Sequence, residues 1–219
     1  AMDKLRLRFE KTGRAIYISH LDLMHTMQRA FLRAGVPLKY SEGFNPHPLI
    51  SILLPLSVGC ASVCELMDFR LAGEFNAAAV AGRLGAAMPE GIVPLEAYPS
   101  ERKAKELKWI RVDGVLEYDR AGTAAAAAAA AELFSGDVTV TRRTKRGEGE
   151  FTLSDWVRDM EFSAGEGAVA VKAVISAQEP TVNPELIAAA LRQNLPQFAP
   201  DFARFSRVET YDADMKIFR

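Results

Sequence analysis

Lys4-Leu5-Arg6-Leu7-Arg8-Phe9-Glu10-Lys11, followed by Ser19-His20-Leu21-Asp22-Leu23-Met24 and a striped run to Ala34, is the stretch that decides the fold. Leu5, Leu7 and Phe9 alternate with Arg6, Arg8 and Glu10, the period of a half-buried strand. Ser19 has the chemistry of a helix N-cap, with Asp22 three residues on in a capping-box-like position. Met24, Met27, Phe31 and Ala34 mark the side of the helix predicted to be buried; Asp22, Arg29 and Arg33 mark its wet side. Gly35 and Pro37 stop it.

Working outward, residues 50–54 form a continuous apolar strand. In the strand at 63–71, Met67, Phe69 and Leu71 oppose Asp68 and Arg70. A helix over about 75–87 and a strand over 92–97 complete the order strand, helix, strand, strand, helix, strand, which is that of a ferredoxin-like unit. A similar order recurs: a strand at 107–118, a helix at 123–134, strands at 138–143, 157–162 and 168–176, a helix at 184–194 and a strand at 205–211. Residues 147–155 carry no clear period. The sequence therefore predicts an α+β protein of two tandem ferredoxin-like (βαββαβ) units with antiparallel sheets. They span residues 2–98 and 106–219, joined by the polar, basic stretch 99–105.

A chain of 219 residues has room for one large or two small domains. Its formal net charge of −1 exerts no overall pull on nucleic acid, but the charge is unevenly spread. Residues 1–39 hold eight Lys or Arg (Lys4, Arg6, Arg8, Lys11, Arg14, Arg29, Arg33, Lys39) against three acids (Asp3, Glu10, Asp22). Arg142, Arg143, Lys145 and Arg146 form a second cluster. Local basic patches bind phosphates whatever the net charge. No stretch approaches the roughly 18 apolar residues of a membrane helix. Cys60 and Cys64 are the only cysteines. They give no disulfide framework, which makes a reducing cytoplasm the expectation.

Ser41-Glu42-Gly43-Phe44-Asn45-Pro46-His47-Pro48 suits neither helix nor strand. Pro46 and Pro48 push Asn45 and His47 toward extended conformations, and Gly43 permits a turn. Such a loop presents an aromatic ring, an amide and an imidazole in a stiff arrangement. Its simpler reading is a connector whose Phe44 plugs the core.

From Arg6 to Asp68 the chain resembles the radical-SAM-linked protein family, a domain without an assigned function. That domain occurs alone or fused behind radical-SAM and cobalamin-binding enzymes. The motifs that carry the resemblance are Ile18-Ser19-His20-Leu21-Asp22-Leu23, Arg29-Ala30 with Arg33-Ala34, Gly43-Phe44-Asn45-Pro46-His47-Pro48, and Glu65 with Asp68. His25 and Leu49 depart from it, standing where basic residues are expected. The resemblance implies a radical-SAM enzyme as partner and implies no reaction or cofactor for the chain itself.

Several chemistries can be weighed on the residues. Cys60 and Cys64 are spaced like two ligands of a three-cysteine cluster motif, but the third cysteine is absent, so the chain is not itself a radical-SAM enzyme. They read as small core residues. His20, His47, Glu65 and Asp68 have the donor atoms for zinc or a similar ion but lack tight ligand spacing, so no cofactor is expected. His20 and His47 could serve as acid and base in RNA phosphodiester cleavage. They lie at opposite ends of a helix about 20 Å long, so only a loop that doubles back would unite them.

RNA binding is the favoured expectation. Arg6, Arg8, Asp68 and Arg70 point away from the helices on the two strands expected to be central, where arginine can meet phosphates and stack on bases. No aromatic pair accompanies them on those strands, unlike a typical RNA-recognition sheet. Arg29 and Arg33 extend the basic surface. Phe44, Asn45 and His47 would grip RNA or a partner, supported by His20 and Asp22. The sequence thus reads as a cytoplasmic accessory protein, without a membrane span, that binds tRNA or rRNA for a radical-SAM enzyme. The alternatives are a histidine- or metal-dependent RNA-processing enzyme and a protein-interaction module anchored by Phe44.

Overall fold

The computed structural model describes residues 4–120 and 122–219. They divide into two compact units, one running to Glu106 and including Ile217–Arg219, the other Leu107–Lys216.

In the first unit, β1 (Lys4–Lys11), α1 (His20–Arg33), β2 (Ile50–Ile52), β3 (Ala61–Arg70), α2 (Ala77–Gly85) and β4 (Ile92–Pro99) follow one another. The strands lie in the order β4-β1-β3-β2, each antiparallel to its neighbours. Ser19 caps α1: its Oγ accepts from the Asp22 amide at 3.1 Å and donates to the Asp22 carboxylate at 2.8 Å. This satisfies an amide that the first helical turn would otherwise leave unpaired. Leu5, Leu7 and Phe9 of β1 enter the core with Met67 and Phe69 of β3 and Val80 and Leu84 of α2. The deep stripe of α1 is Leu23, Met27, Ala30 and Phe31. Met24 and Ala34, expected to be deep, sit half-buried at its margin. The Phe31 ring meets Phe69 edge-on, with centroids 5.0 Å apart.

In the second unit, β5 (Trp109–Glu117), α3 (Thr123–Leu133), β6 (Thr139–Thr144), β7 (Gly147–Thr152), β8 (Val157–Ala164), β9 (Ala168–Ser176), α4 (Glu185–Asn194) and β10 (Phe202–Tyr211) follow in turn. Here the order is β10-β5-β9-β8, with antiparallel neighbours. The strand expected at 138–143 does not join that sheet. As β6 it pairs only with β7 in a separate hairpin. The hairpin was obscured because β7 reads Gly-Glu-Gly-Glu-Phe-Thr, in which only Phe151 signals an apolar face. The alanine run of α3 buries Ala126, Ala127 and Ala130, small side chains on a strong helix former. Gly114 stands opposite Phe205, where an added Cβ would come within 2.5 Å of the ring. The ring lies over the strand because that position has no side chain.

Among the described residues no helix is long and apolar enough to cross a membrane. Cys60 and Cys64 are buried and are not joined in a disulfide.

Phe31→Ala should lower the unfolding free energy by about 3–5 kcal/mol, through lost transfer energy plus the cavity left against Phe69. Urea denaturation monitored by circular dichroism would measure it.

Candidate functional site

The 41–48 loop is a narrow hairpin rather than an extended strip. Tyr40 and Pro48 form an antiparallel bridge, and the Ser41 amide donates to the His47 carbonyl at 2.8 Å. Ser41 Oγ accepts the His47 amide at 3.1 Å and lies 2.9 Å from His47 Nδ1. One hydroxyl thus braces both the backbone and the ring of His47, leaving Nε2 as the ring's second hydrogen-bonding atom. Below this, the Leu49 amide donates to the Lys39 carbonyl, the Lys39 amide to the Arg70 carbonyl and the Arg70 amide to the Leu49 carbonyl. The loop is therefore stitched to the end of β3. Gly43 turns with φ of +118°, a conformation in which any side chain would be strained.

Phe44 does not plug the core. At 111 % relative exposure its ring stands fully in solvent, and Asn45 and His47 beside it are exposed as well. Beneath the loop is a cavity of about 390 Å³ lined by Lys4, His47, Leu49, Ser51, Asp68 and Arg70, among others. A second groove of about 340 Å³ lies along the end of α1, lined by Phe31, Leu32, Val36, Leu38 and Tyr40 among others. Leu32 and Tyr40, on its wall, are 82 % and 55 % exposed.

The sheet face that was expected to offer Arg6 and Asp68 to RNA is closed over both. Arg6 has 0 % exposure. Its Nε donates to Asp68 Oδ1 at 2.6 Å, and Nη2 donates to Asp68 Oδ2, Ser100 Oγ and the Arg102 carbonyl. The Phe218 ring lies 4.9 Å from the Arg6 guanidinium carbon and 5.0 Å from that of Arg102. Arg6 is thus a buried structural cation, not the phosphate contact that the alternation of β1 predicts. Alternation along β1 correctly turned it away from the helices, but could not show that Ser100, Arg102 and Phe218 would close over it. Arg8 pairs with Glu96 at 3.0 Å and remains partly exposed. Arg70 is exposed at the mouth of the cavity. Lys4 reaches Asp68 at 3.0 Å, so one carboxylate there faces two cations, Lys4 and Arg6. Lys4 was missed as a site residue; its place at the start of β1, paired with Arg70, was the available signal.

The histidines stand apart. His20 opens α1, near the start of β3: Lys11 Nζ donates to the Ile18 carbonyl, and Lys11 pairs with Ser62. His47 lies at the other end of β3, beside Arg70. Eight residues of strand, at about 3.3 Å each, put roughly 26 Å between those ends. The acid–base pair of His20 and His47 is not assembled. Asp22 is occupied with Ser19, and exposed Arg33 donates to the Ala87 carbonyl at 2.7 Å, while Arg29 is exposed on the same helix. Glu65 is buried and accepts from Ser62 Oγ at 2.7 Å. Among the described residues no three His, Cys, Asp or Glu side chains gather as metal ligands.

The family model for an uncharacterized protein conserved in bacteria (DUF2344) matches residues 4–197. The chain belongs to that family. No curated protein matches it. The matched span contains the loop, its brace and the cavity beneath it, together with most of the second unit.

Tyr98 sits opposite Arg6 in the β1–β4 ladder, and its buried hydroxyl makes no hydrogen bond among the described residues. Burial pushes its pKa from 10.0 up to about 12, against the opposing pull of the Arg6 and Arg219 charges. The folded value exceeds the unfolded one, so the associated stability is full below pH 10.0 and is lost as pH rises toward 12. Alkaline titration of phenolate absorbance should show a late step that Tyr98→Phe removes. Asp68→Ala, which strands the Arg6 charge, should cost about 3–5 kcal/mol in chemical denaturation.

Proposed function

We propose that the chain is a cytoplasmic accessory protein that binds tRNA or rRNA at an unpaired nucleotide and presents it to a radical-SAM enzyme. The observation that carries this reading is the fully exposed Phe44 ring on a braced loop whose His47 and Pro48 line a cavity that also bears Lys4 and Arg70. An aromatic ring kept in water has no use in stability, whereas unpaired bases stack on such rings. Arg70 and Lys4 would receive the neighbouring phosphates, Asn45 would offer its paired donor and acceptor to a base edge, and His47 would add a ring nitrogen. Arg29 and Arg33 would extend the phosphate path along α1. The radical-SAM partner is carried by the motif resemblance alone.

The strand order within each unit supports the finer fold reading. The first unit runs fourth-first-third-second with antiparallel neighbours, as a ferredoxin-like unit does. The second unit repeats this order once the β6–β7 hairpin is counted as an insertion after its first helix.

A protein-contact reading is favoured by one observation, the exposed Leu32 and Tyr40 on the walls of the α1 groove. A side chain of the partner enzyme would seat there, close in sequence to the loop and within the same unit.

Phe44→Ala should leave stability within about 0.5 kcal/mol of the parent, as surface substitutions do. It should weaken binding of an oligonucleotide with an unpaired loop by about 1–3 kcal/mol, with Phe44→Trp restoring it. Fluorescence anisotropy at low and moderate salt would measure both. Wild-type affinity in the alanine variant, with the fold intact, would hand the loop to a protein partner.

A further inference from the structure

The β6–β7 hairpin is unused by the site above, yet it carries the second basic cluster of the sequence. Its turn is Lys145-Arg146, closed by the Thr144–Gly147 pair. Thr144 Oγ1 donates to the Gly147 carbonyl at 2.9 Å and accepts from the Arg146 amide at 3.2 Å. Arg143, Lys145 and Arg146 are exposed, and among the described residues none of them forms an ion pair. Arg142 is half-buried, with its guanidinium 3.8 Å from the centroid of the Phe151 ring two positions down the same face. That contact holds a planar fork in place without consuming its in-plane donors.

The base of the hairpin is clamped. Gln193 of α4 reads both backbone groups of Thr141, accepting its amide at 2.8 Å and donating to its carbonyl at 3.1 Å. Asn194 donates to the Thr139 carbonyl at 3.1 Å, and Val140 is fully buried. The four-stranded sheet of this unit is complete without the hairpin. A ribbon fixed at its root, with cations at its free end and no part in the sheet, is built to contact something.

We propose that this tip binds the sugar–phosphate backbone of base-paired RNA. Guanidinium forks match phosphate oxygens bidentately, and three of the four cations are arginines. Membrane insertion would call for apolar side chains at the tip, and the aromatic anchors common at protein interfaces would call for a large ring there. Residues 143–150 offer neither, since they are Arg, Thr, Lys, Arg, Gly, Glu, Gly and Glu. Glu148 faces Arg143 and Glu150 faces Thr141 across the ladder, so the positive end is the turn rather than the whole ribbon. The major groove of an A-form duplex is too narrow for side chains to read, so the contact is with flanking phosphates and carries no sequence preference. The choice of RNA over DNA rests on the reading of the Phe44 loop; the phosphate contact itself does not.

The test is filter binding of the full chain to a short RNA duplex, a DNA duplex of the same sequence, and phosphatidylserine vesicles, across a salt series. The triple variant Arg143→Glu, Lys145→Glu, Arg146→Glu leaves Arg142 and Phe151 in place, and circular dichroism checks its fold. The variant should bind the RNA duplex at least about tenfold more weakly at low salt, with the salt slope reduced by about two to three counterion equivalents. Phe44→Ala should leave that slope unchanged. Wild-type duplex affinity and slope in the triple variant would overturn the proposal, as would wild-type protein that binds only vesicles or only DNA. Loss of unpaired-loop preference in Phe44→Ala, with duplex binding untouched by the hairpin reversals, would defeat the hairpin and leave the loop reading standing. The opposite pattern would do the reverse.

Discussion

A guanidinium with no exposure must be neutralised and hydrogen-bonded where it lies, because the cost of stripping water from an ion exceeds most single contributions to folding. Arg6 meets that demand at Nε and Nη2, through the two oxygens of Asp68, the Ser100 hydroxyl and the Arg102 carbonyl, while its buried Nη1 has no hydrogen-bond partner among the described residues. The Arg6–Asp68 pairing is also a register pair of β1 and β3, so the bidentate contact and the sheet register enforce one another. A slip of one residue would turn Arg6 into the apolar core and Leu7 out of it. The chain beyond β4 must then stay close enough for Ser100 and Arg102 to reach the cation, and Phe218 lies over the same group.

Closing that face leaves the exposed chemistry of the first unit at its periphery. What remains available is the rim of the sheet, where Lys4 and Arg70 mark the edge of the ion-pair network, and the loop stitched to Arg70. A loop usually gains function at the expense of order. Here proline, a left-handed glycine and the double contact of Ser41 with His47 hold it in place, so its side chains would lose little freedom in any contact. The second unit solves the same problem differently, by pinning a hairpin to α4 through side-chain amides. In both places rigidity comes from backbone groups satisfied by nearby side chains, and exposed chemistry is carried at the end.

Much of the secondary structure was legible because it rests on local periodicity and local chemistry. The Leu5-Leu7-Phe9 alternation, the Ser19 cap and the Gly35 stop each act over a few residues, and each element stands where they place it. The hairpin at β6–β7 was harder to see because a solvated two-stranded ribbon has no buried face to impose a period, and Gly147 and Gly149 dilute what remains. In the buried stripe of α1, Met27 and Phe31 stand as the period predicts, while Leu23 and Ala30 replace Met24 and Ala34; all four are apolar, and only packing within the unit selects among them.

The sequence by itself determined which residues alternate, which cap and turn, and that 41–48 would be a stiff loop carrying Phe44, Asn45 and His47. These are consequences of steric restriction at proline and glycine and of spacing along one chain segment. Only the tertiary structure decided whether a displayed or outward-facing group meets water. It buried Arg6 and left Phe44 bare, the reverse of what side-chain polarity alone suggests. It also set His20 and His47 at opposite ends of β3, and brought Lys4 into the loop's cavity through its place in the ladder. Burial and proximity depend on which distant segments pack together, and that information is spread over strand register and long-range contacts rather than held in any local stretch.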